Sequence, residues 1–478
     1  MTRGKKITIT LISLAIIILL SLFFFIADYR EKVNQANITR QQLTLLETVD
    51  IFTDTNERLR QLKNAKNNQA WLHLATLHGN RSASTAYQLA EYFHQRQQMQ
   101  SAQLWYKVAI RQNHIQARIA LANNYFQQQE YAHIKPLLLP IIANAEALTI
   151  LYKVALYQGD VAFITRYKNQ LANSEALEFY LELEKFSVFA ADSEPLTAKV
   201  SKSAALTCLI DVQFFATNLA GLRHTQQLIN TFQQQHLAEF VCLNAPKYIA
   251  ADIVKCSHQA DEKITCRANT WAQRKDINTR YLGLVVERGG ANVDHGILYI
   301  DQNDSIDVLV HELSHLIGFV DEYPLPVQHQ RCQQHQQEPF AHNLVVLPEF
   351  YQGDRASVRA KVLSQVPWFS LIKDTTPILS RYNQGWQLLT PKEYQNEIGL
   401  FPANSCQNQR QIQAFKPLAQ RTKLQYFELI FPPTYIDILR LAANKFLMPS
   451  YHYNISRDLV ELGDYDQARE VLQSTLFE

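Results

Sequence analysis

Between residues 66 and 186, apolar positions recur at helical spacing in short blocks that echo one another. AYQLAEYF at 86 to 93 and ARIALANNYF at 117 to 126 place a Leu-Ala pair 32 residues apart. QSAQLWYKVAI at 100 to 110 lies between them, and a further helix ends in LYQGD at 156 to 160. Paired helices at this interval bury an apolar face only by stacking on their neighbours, so the pattern predicts a helical repeat array. Upstream, residues 29–65 are polar and helix-forming, with Leu43, Leu46, Val49, Leu59 and Leu62 near helical spacing, which predicts a helical stalk. Before that stands a run of 21 residues without a charge, 7 to 27, long enough to span a bilayer.

The pattern changes after a small, polar stretch at 190 to 204, AADSEPLTAKVSKSA, which reads as a linker. TCLIDVQFFAT (207 to 217), YLGLVVE (281 to 287) and HGILYID (295 to 301) read as strands, the last two flanking a Gly289-Gly290 turn. HTQQLINTFQQQHL (224 to 237) reads as a helix. The tail NISRDLVELGDYDQAREVLQ (454 to 473) returns to helix, turn, helix, similar to the first array, on which it would pack. Both helical segments resemble tetratricopeptide-type repeats. The fold expectation is α+β in five parts: cytoplasmic tip and transmembrane anchor at 1–28, stalk at 29–65, repeats at 66–190, an α/β-type catalytic domain at 200–440, and a C-terminal helical hairpin at 441–478.

Composition narrows the classes. With 46 Lys and Arg against 44 Asp and Glu, the chain lacks the basic field that nucleic-acid binding requires, so nucleic acid is set aside. Arg3, Lys5 and Lys6 precede the apolar run, whereas Arg30 and Lys32 after it are accompanied by Asp28 and Glu31. That asymmetry predicts a single-pass membrane protein with a cytoplasmic amino terminus and its bulk periplasmic or extracellular. Six cysteines, none before Cys208, suit that side. Pairing of sequence neighbours (208 with 242, 256 with 266, 332 with 406) is the simplest arrangement, and the absence of Cys-x-x-Cys spacing argues against a cysteine-held metal.

The chemistry is concentrated at 311 to 321, HELSHLIGFVD. Asn303, Asp304 and Ser305 can cap a helix, and IDVLVHELSHLIGF then runs with helical periodicity. On a helix His311 and His315 fall one turn apart on one face, where both imidazoles can hold one zinc ion. Glu312 is placed to act as general base toward a water at that metal. Gly318 would end the helix and turn the chain so that Asp321 returns as third ligand, the metzincin pattern HExxHxxGxxH with aspartate in the last place.

HELSHLIGFVDEY resembles the corresponding segment of the IgA-peptidase-type metallopeptidases, a metzincin-like family. Pro367-Trp368 and IGLFPANSC at 398 to 406 resemble further parts of that family, and the likeness spans roughly 280 to 435. It implies zinc-dependent hydrolysis of peptide bonds, with His311, His315 and Asp321 as ligands and Glu312 as base. The chain departs from the family in Ser314, where glycine is favoured, and in an interval to Asp-Glu-Tyr one residue shorter. The second departure keeps Glu322 open as the third ligand. A ligand from further on, Glu338 or Glu349, is a third arrangement. Tyr323 can orient a ligand or is an ordinary amphipathic tyrosine. Met448 either floors the zinc site, as the metzincin Met-turn does, or packs in the core. HGILYID would be the edge strand on which an extended substrate aligns.

The sequence thus points to a membrane-anchored, extracytoplasmic zinc metallopeptidase acting on peptides or proteins, with repeats that either dock a protein partner or serve as a spacer between membrane and enzyme. The rival class is a repeat scaffold carrying a structural or inactive zinc domain.

Overall fold

The structure is a computed structural model that describes residues 55–66, 68–189, 208–257, 262–274, 276–326, 328–407 and 412–474. It is α+β, with a helical N-terminal region, and forms two compact units that divide between Ala147 and Leu148. A bilayer span needs about 20 consecutive apolar helical residues, and no helix among the described residues is long and apolar enough to cross a membrane. The run at 7–27, the tip before it, the stalk from 29 to 54 and the linker at 190–204 lie outside the described residues, and the expected single-pass placement finds no support.

The first unit is a run of helices, Thr55–Asn64, Asn68–Gly79, Ala83–His94, Met99–Arg111 and Ile115–Gln127. Ala86, Ala90, Ala102, Ala109 and Ala117 are fully buried, and their small side chains let neighbouring helices approach closely. Gln97, Asn113 and Gln129 turn the chain after successive helices, each with positive φ and each 16 residues after the last. That spacing is half the 32-residue repeat seen in the sequence.

In the second unit, helices Val161–Ala172 and Leu177–Lys185 lead into a five-stranded sheet. Its strands are β1 (Ile210–Ala216), β2 (Val241–Tyr248), β3 (Tyr281–Val286), β4 (Asn292–Asp294) and β5 (Ile297–Asp301), in the order β2-β1-β3-β5-β4. All run parallel except β4, which pairs antiparallel with β5. Strands β1, β3 and β5 are buried almost throughout, as expected for a sheet covered on both faces. Because side chains alternate, Leu282, Leu284 and Val286 face one layer while Val285 lies against Gly221 of the helix Leu219–Phe232 in the other. HGILYID is therefore an internal strand; the edge belongs to β4.

The C-terminal hairpin, Tyr451–Glu461 and Tyr465–Ser474, belongs to the sheet. Tyr451, Ile455, Leu459 and Ala468 join Leu282, Leu284, Ile297 and Tyr299 in one core cluster. Asp458 Oδ2 also accepts the backbone N–H groups of Ala268 and Asn269, which open the short helical turn Ala268–Gln273. Two small antiparallel sheets complete the unit: Phe401–Pro402, Ile412–Lys416 and Val345–Pro348, then Phe350–Tyr351, Gly385–Leu388 and Leu379–Tyr382. Disulfides join Cys208 to Cys242, Cys256 to Cys266 and Cys332 to Cys406, the neighbour pairing, which fits an oxidising compartment.

Candidate metal centre

The helix Ile306–Leu316 carries both histidines of the motif. Ser305 caps its start, accepting the Val308 N–H at its Oγ. Its end is a Schellman turn, in which the Phe319 N–H reaches the Ser314 carbonyl and the Gly318 N–H the His315 carbonyl. Gly318 has φ +91°, and a Cβ there would lie 2.5 Å from both the Cβ and the carbonyl oxygen of Phe446. Both the left-handed backbone and the close approach of the turn at Phe446 exclude a side chain. Gly318→Ala is expected to destabilise the fold by about 2–4 kcal/mol and to lower metal retention, because Asp321 follows three residues later. Denaturant unfolding and metal content on the same preparation would show both effects.

Beyond that turn the chain brings Asp321 back to the histidines. His311 Nε2, His315 Nε2 and Asp321 Oδ1 form a triangle with every side 3.3 Å. A tetrahedral zinc site with bonds of about 2.0–2.1 Å requires donor atoms about 3.3–3.4 Å apart, so the triangle has the size of a zinc face. The other ring nitrogens agree with this. His311 Nδ1 lies 2.8 Å from the Lys423 carbonyl and His315 Nδ1 3.1 Å from the Phe319 carbonyl. Carbonyls only accept, so each Nδ1 carries the proton and each Nε2 keeps its lone pair for the centre. Asp321 Oδ1 is buried and has no hydrogen-bond donor among the described residues. Three acceptors facing one another need a cation between them.

Without a metal, a proton takes that part. Burial alone would lower the His315 pKa, but the Asp321 carboxylate outweighs it and pushes it up to about 9. Burial would raise Asp321, and the two imidazoles hold it well below the usual carboxylate range. Glu312 is 8% exposed, and its carboxyl is raised, first by burial, against the opposing pull of His315 and His311. Tyr323 stands beside Asp321; burial and that negative charge push its phenol up.

Glu322 goes elsewhere. Its Oε2 accepts from Lys416 Nζ and Thr422 Oγ1, both at 2.8 Å, and its Oε1 accepts from Asn343 Nδ2 at 3.0 Å and from the Tyr435 hydroxyl. Asn343 also clamps Val320, accepting its N–H and donating to its carbonyl. The Glu322 N–H donates to Leu424 O, and Ser405 Oγ to Asp321 O. The segment 422–424 thus touches both halves of the centre, through the Lys423 carbonyl on His311 and the Leu424 carbonyl on the Asp321 loop. Glu349 is bonded to Gln387, and Glu338 is an exposed loop residue; neither joins the triangle. Lys416, Thr422, Tyr435 and Asn343 left no trace in the sequence pattern, since they lie 21 to 113 residues from Glu322.

A second convergence, Cys208, Asp211 and Cys242, offers no thiolate because its cysteines are disulfide-bonded. His342 is buried against Phe319 and Phe446, and its Nε2 has no partner among the described residues. Burial, helped by Lys445, lowers its pKa from 6.5 to about 4. The unfolded chain therefore binds a proton that the folded chain refuses between those values. Stability from this residue is intact above pH 6.5 and declines as pH falls, by about 3 kcal/mol at pH 4. Urea unfolding of wild type and His342→Gln at pH 7 and pH 4 should show a smaller acid loss in the variant.

A cavity of about 550 Å³ opens beside His315 and Asp321, and Met448 forms part of its wall. The Met448 sulfur accepts the Gly296 N–H, and its own N–H reaches Leu316 O at the end of the motif helix. The likeness to the IgA-peptidase-type family rests on the residues quoted for it, because no family model, curated protein or solved structure matches the chain.

Proposed function

We propose that this chain is a zinc-dependent peptidase, with His311, His315 and Asp321 as ligands and Glu312 as general base. The observation that carries the reading is the equal-sided donor triangle with its lone pairs turned inward. A zinc ion held there supplies a Lewis acid that polarises a carbonyl and brings a water's pKa to near neutral. Three protein donors leave a coordination position open for that chemistry. Glu312, next to His311 on the same helix, accepts the proton of the attacking water and returns it to the leaving amine. Burial raises its carboxyl above the ordinary glutamate value, against the pull of His315 and His311. A purely structural zinc would give this buried carboxylate no task, which weighs against the scaffold reading.

Substrate backbone would add to the edge strand β4, whose Val293 and Asp294 border the cavity. The metzincin-like ancestry, with Met448 beneath the centre, is part of the same proposal. So is a tetratricopeptide-type docking role for the N-terminal helices. The test is cleavage of a broad peptide library by the full chain, abolished by a chelator and restored by zinc. No cleavage by zinc-loaded protein would remove the peptidase reading.

A further inference from the structure

The cavity beside the candidate ligands has an apolar body, with Phe340, Phe446 and Met448 among its walls. Two cations stand over those walls. The Arg331 guanidinium carbon is 5.0 Å from the Phe340 ring centroid and the Lys445 ammonium nitrogen 5.2 Å from that of Phe446. Contact with an aromatic face restrains each charge without neutralising it. Both side chains remain exposed to solvent, so an incoming group can reach them.

The cavity's carboxylates are already committed. Asp294 is bound by Arg457 at 2.6 Å and by His295, and Asp321 belongs to the donor triangle. Arg331 and Lys445 form no ion pair among the described residues. His329 adds no counter-charge: its ring accepts the Arg331 N–H, and burial with the Arg331 charge lowers its pKa. Asp321 attracts the Arg331 charge only at longer range, without an ion pair. What the cavity offers is a partly apolar wall beside two exposed cations that form no direct ion pair among the described residues.

We infer that this cavity is a carboxylate-recognising subsite, with Arg331 and Lys445 as specificity-determining residues. The enzyme would then cleave beside an acidic residue or a free chain terminus. The inference rests on the peptidase reading. An acidic side chain would lay its aliphatic stem between Phe340 and Phe446 and pair its carboxylate with the two cations, a charge-assisted contact.

Three matched peptides test it with the zinc-loaded full chain: an internal Glu with amidated terminus, its Gln counterpart, and the Gln peptide with a free terminus. One of the two carboxylate peptides should be cleaved with kcat/KM about tenfold above the Gln amide, chiefly through KM, and which one does so identifies the source of the carboxylate. The double variant Arg331→Gln/Lys445→Gln should bring that ratio close to one, and Arg331→Lys with Lys445 intact should keep most of it. Equal cleavage of all three peptides, or a preference that survives the double variant, would overturn the inference while leaving the peptidase reading standing. Binding of the same labelled peptides to Glu312→Gln gives a readout independent of cleavage. About tenfold tighter binding of a carboxylate peptide, lost in Arg331→Gln/Lys445→Gln, is the expected result. Equal binding would overturn the subsite even if no peptide were cleaved.

Discussion

Glu312→Gln is expected to lower kcat/KM for any cleaved peptide by a factor of about a hundred to ten thousand, with zinc content unchanged. The amide fills the same space beside His311 but cannot take a proton. The loss should therefore fall on kcat, and substrate binding should survive. The acid limb of the wild-type pH profile should report the loss of the Glu312 proton. Activity then rises with pH as the base loses its proton. Parallel loss of zinc and activity in the variant would instead make Glu312 a support of the site.

The second large effect concerns a residue outside the centre. Glu322→Ala should destabilise the protein by about 3–5 kcal/mol, because Lys416, 3% exposed, would keep a buried charge without its counter-ion. Tyr435, Thr422 and Asn343 would lose an acceptor in the same change. Removing both charges at once, as in Glu322→Gln/Lys416→Met, should restore much of the loss, since the penalty comes from the unpaired ion. Urea unfolding of the three proteins decides this. A single variant within 1 kcal/mol of wild type would show that the network does not hold the loop. Zinc retention should follow stability here, because Asp321 is the neighbouring residue.

These two residues also mark what the sequence made legible. The motif helix could be read because its information is local: the Ser305 cap, the spacing of His311 and His315, and Gly318 at the turn all fall within 14 residues. Asp321 followed from the same turn. That Glu322 faces away could not be read, since its partners arrive from four distant points of the chain. Strand β4 escaped notice because three residues carry no alternation, and without it HGILYID looked like an edge. Strand β2 was hidden in the same way, since its side chains are mostly half-exposed and mix polar with apolar. The C-terminal hairpin has the amphipathic spacing of the first array, and spacing does not say which surface will cover it. Tyr451, Ile455 and Leu459 found the sheet instead.

The central claim is that three side chains form a zinc site, and metal analysis of the purified full chain after equilibration with zinc and removal of excess tests it most directly. The account predicts about one zinc per chain in the wild type, falling below about a tenth in His315→Ala and in Asp321→Asn while the charge-balanced Glu322→Gln/Lys416→Met still binds. Less than about a tenth of a zinc in folded wild-type protein, or undiminished zinc in both ligand variants, would contradict it.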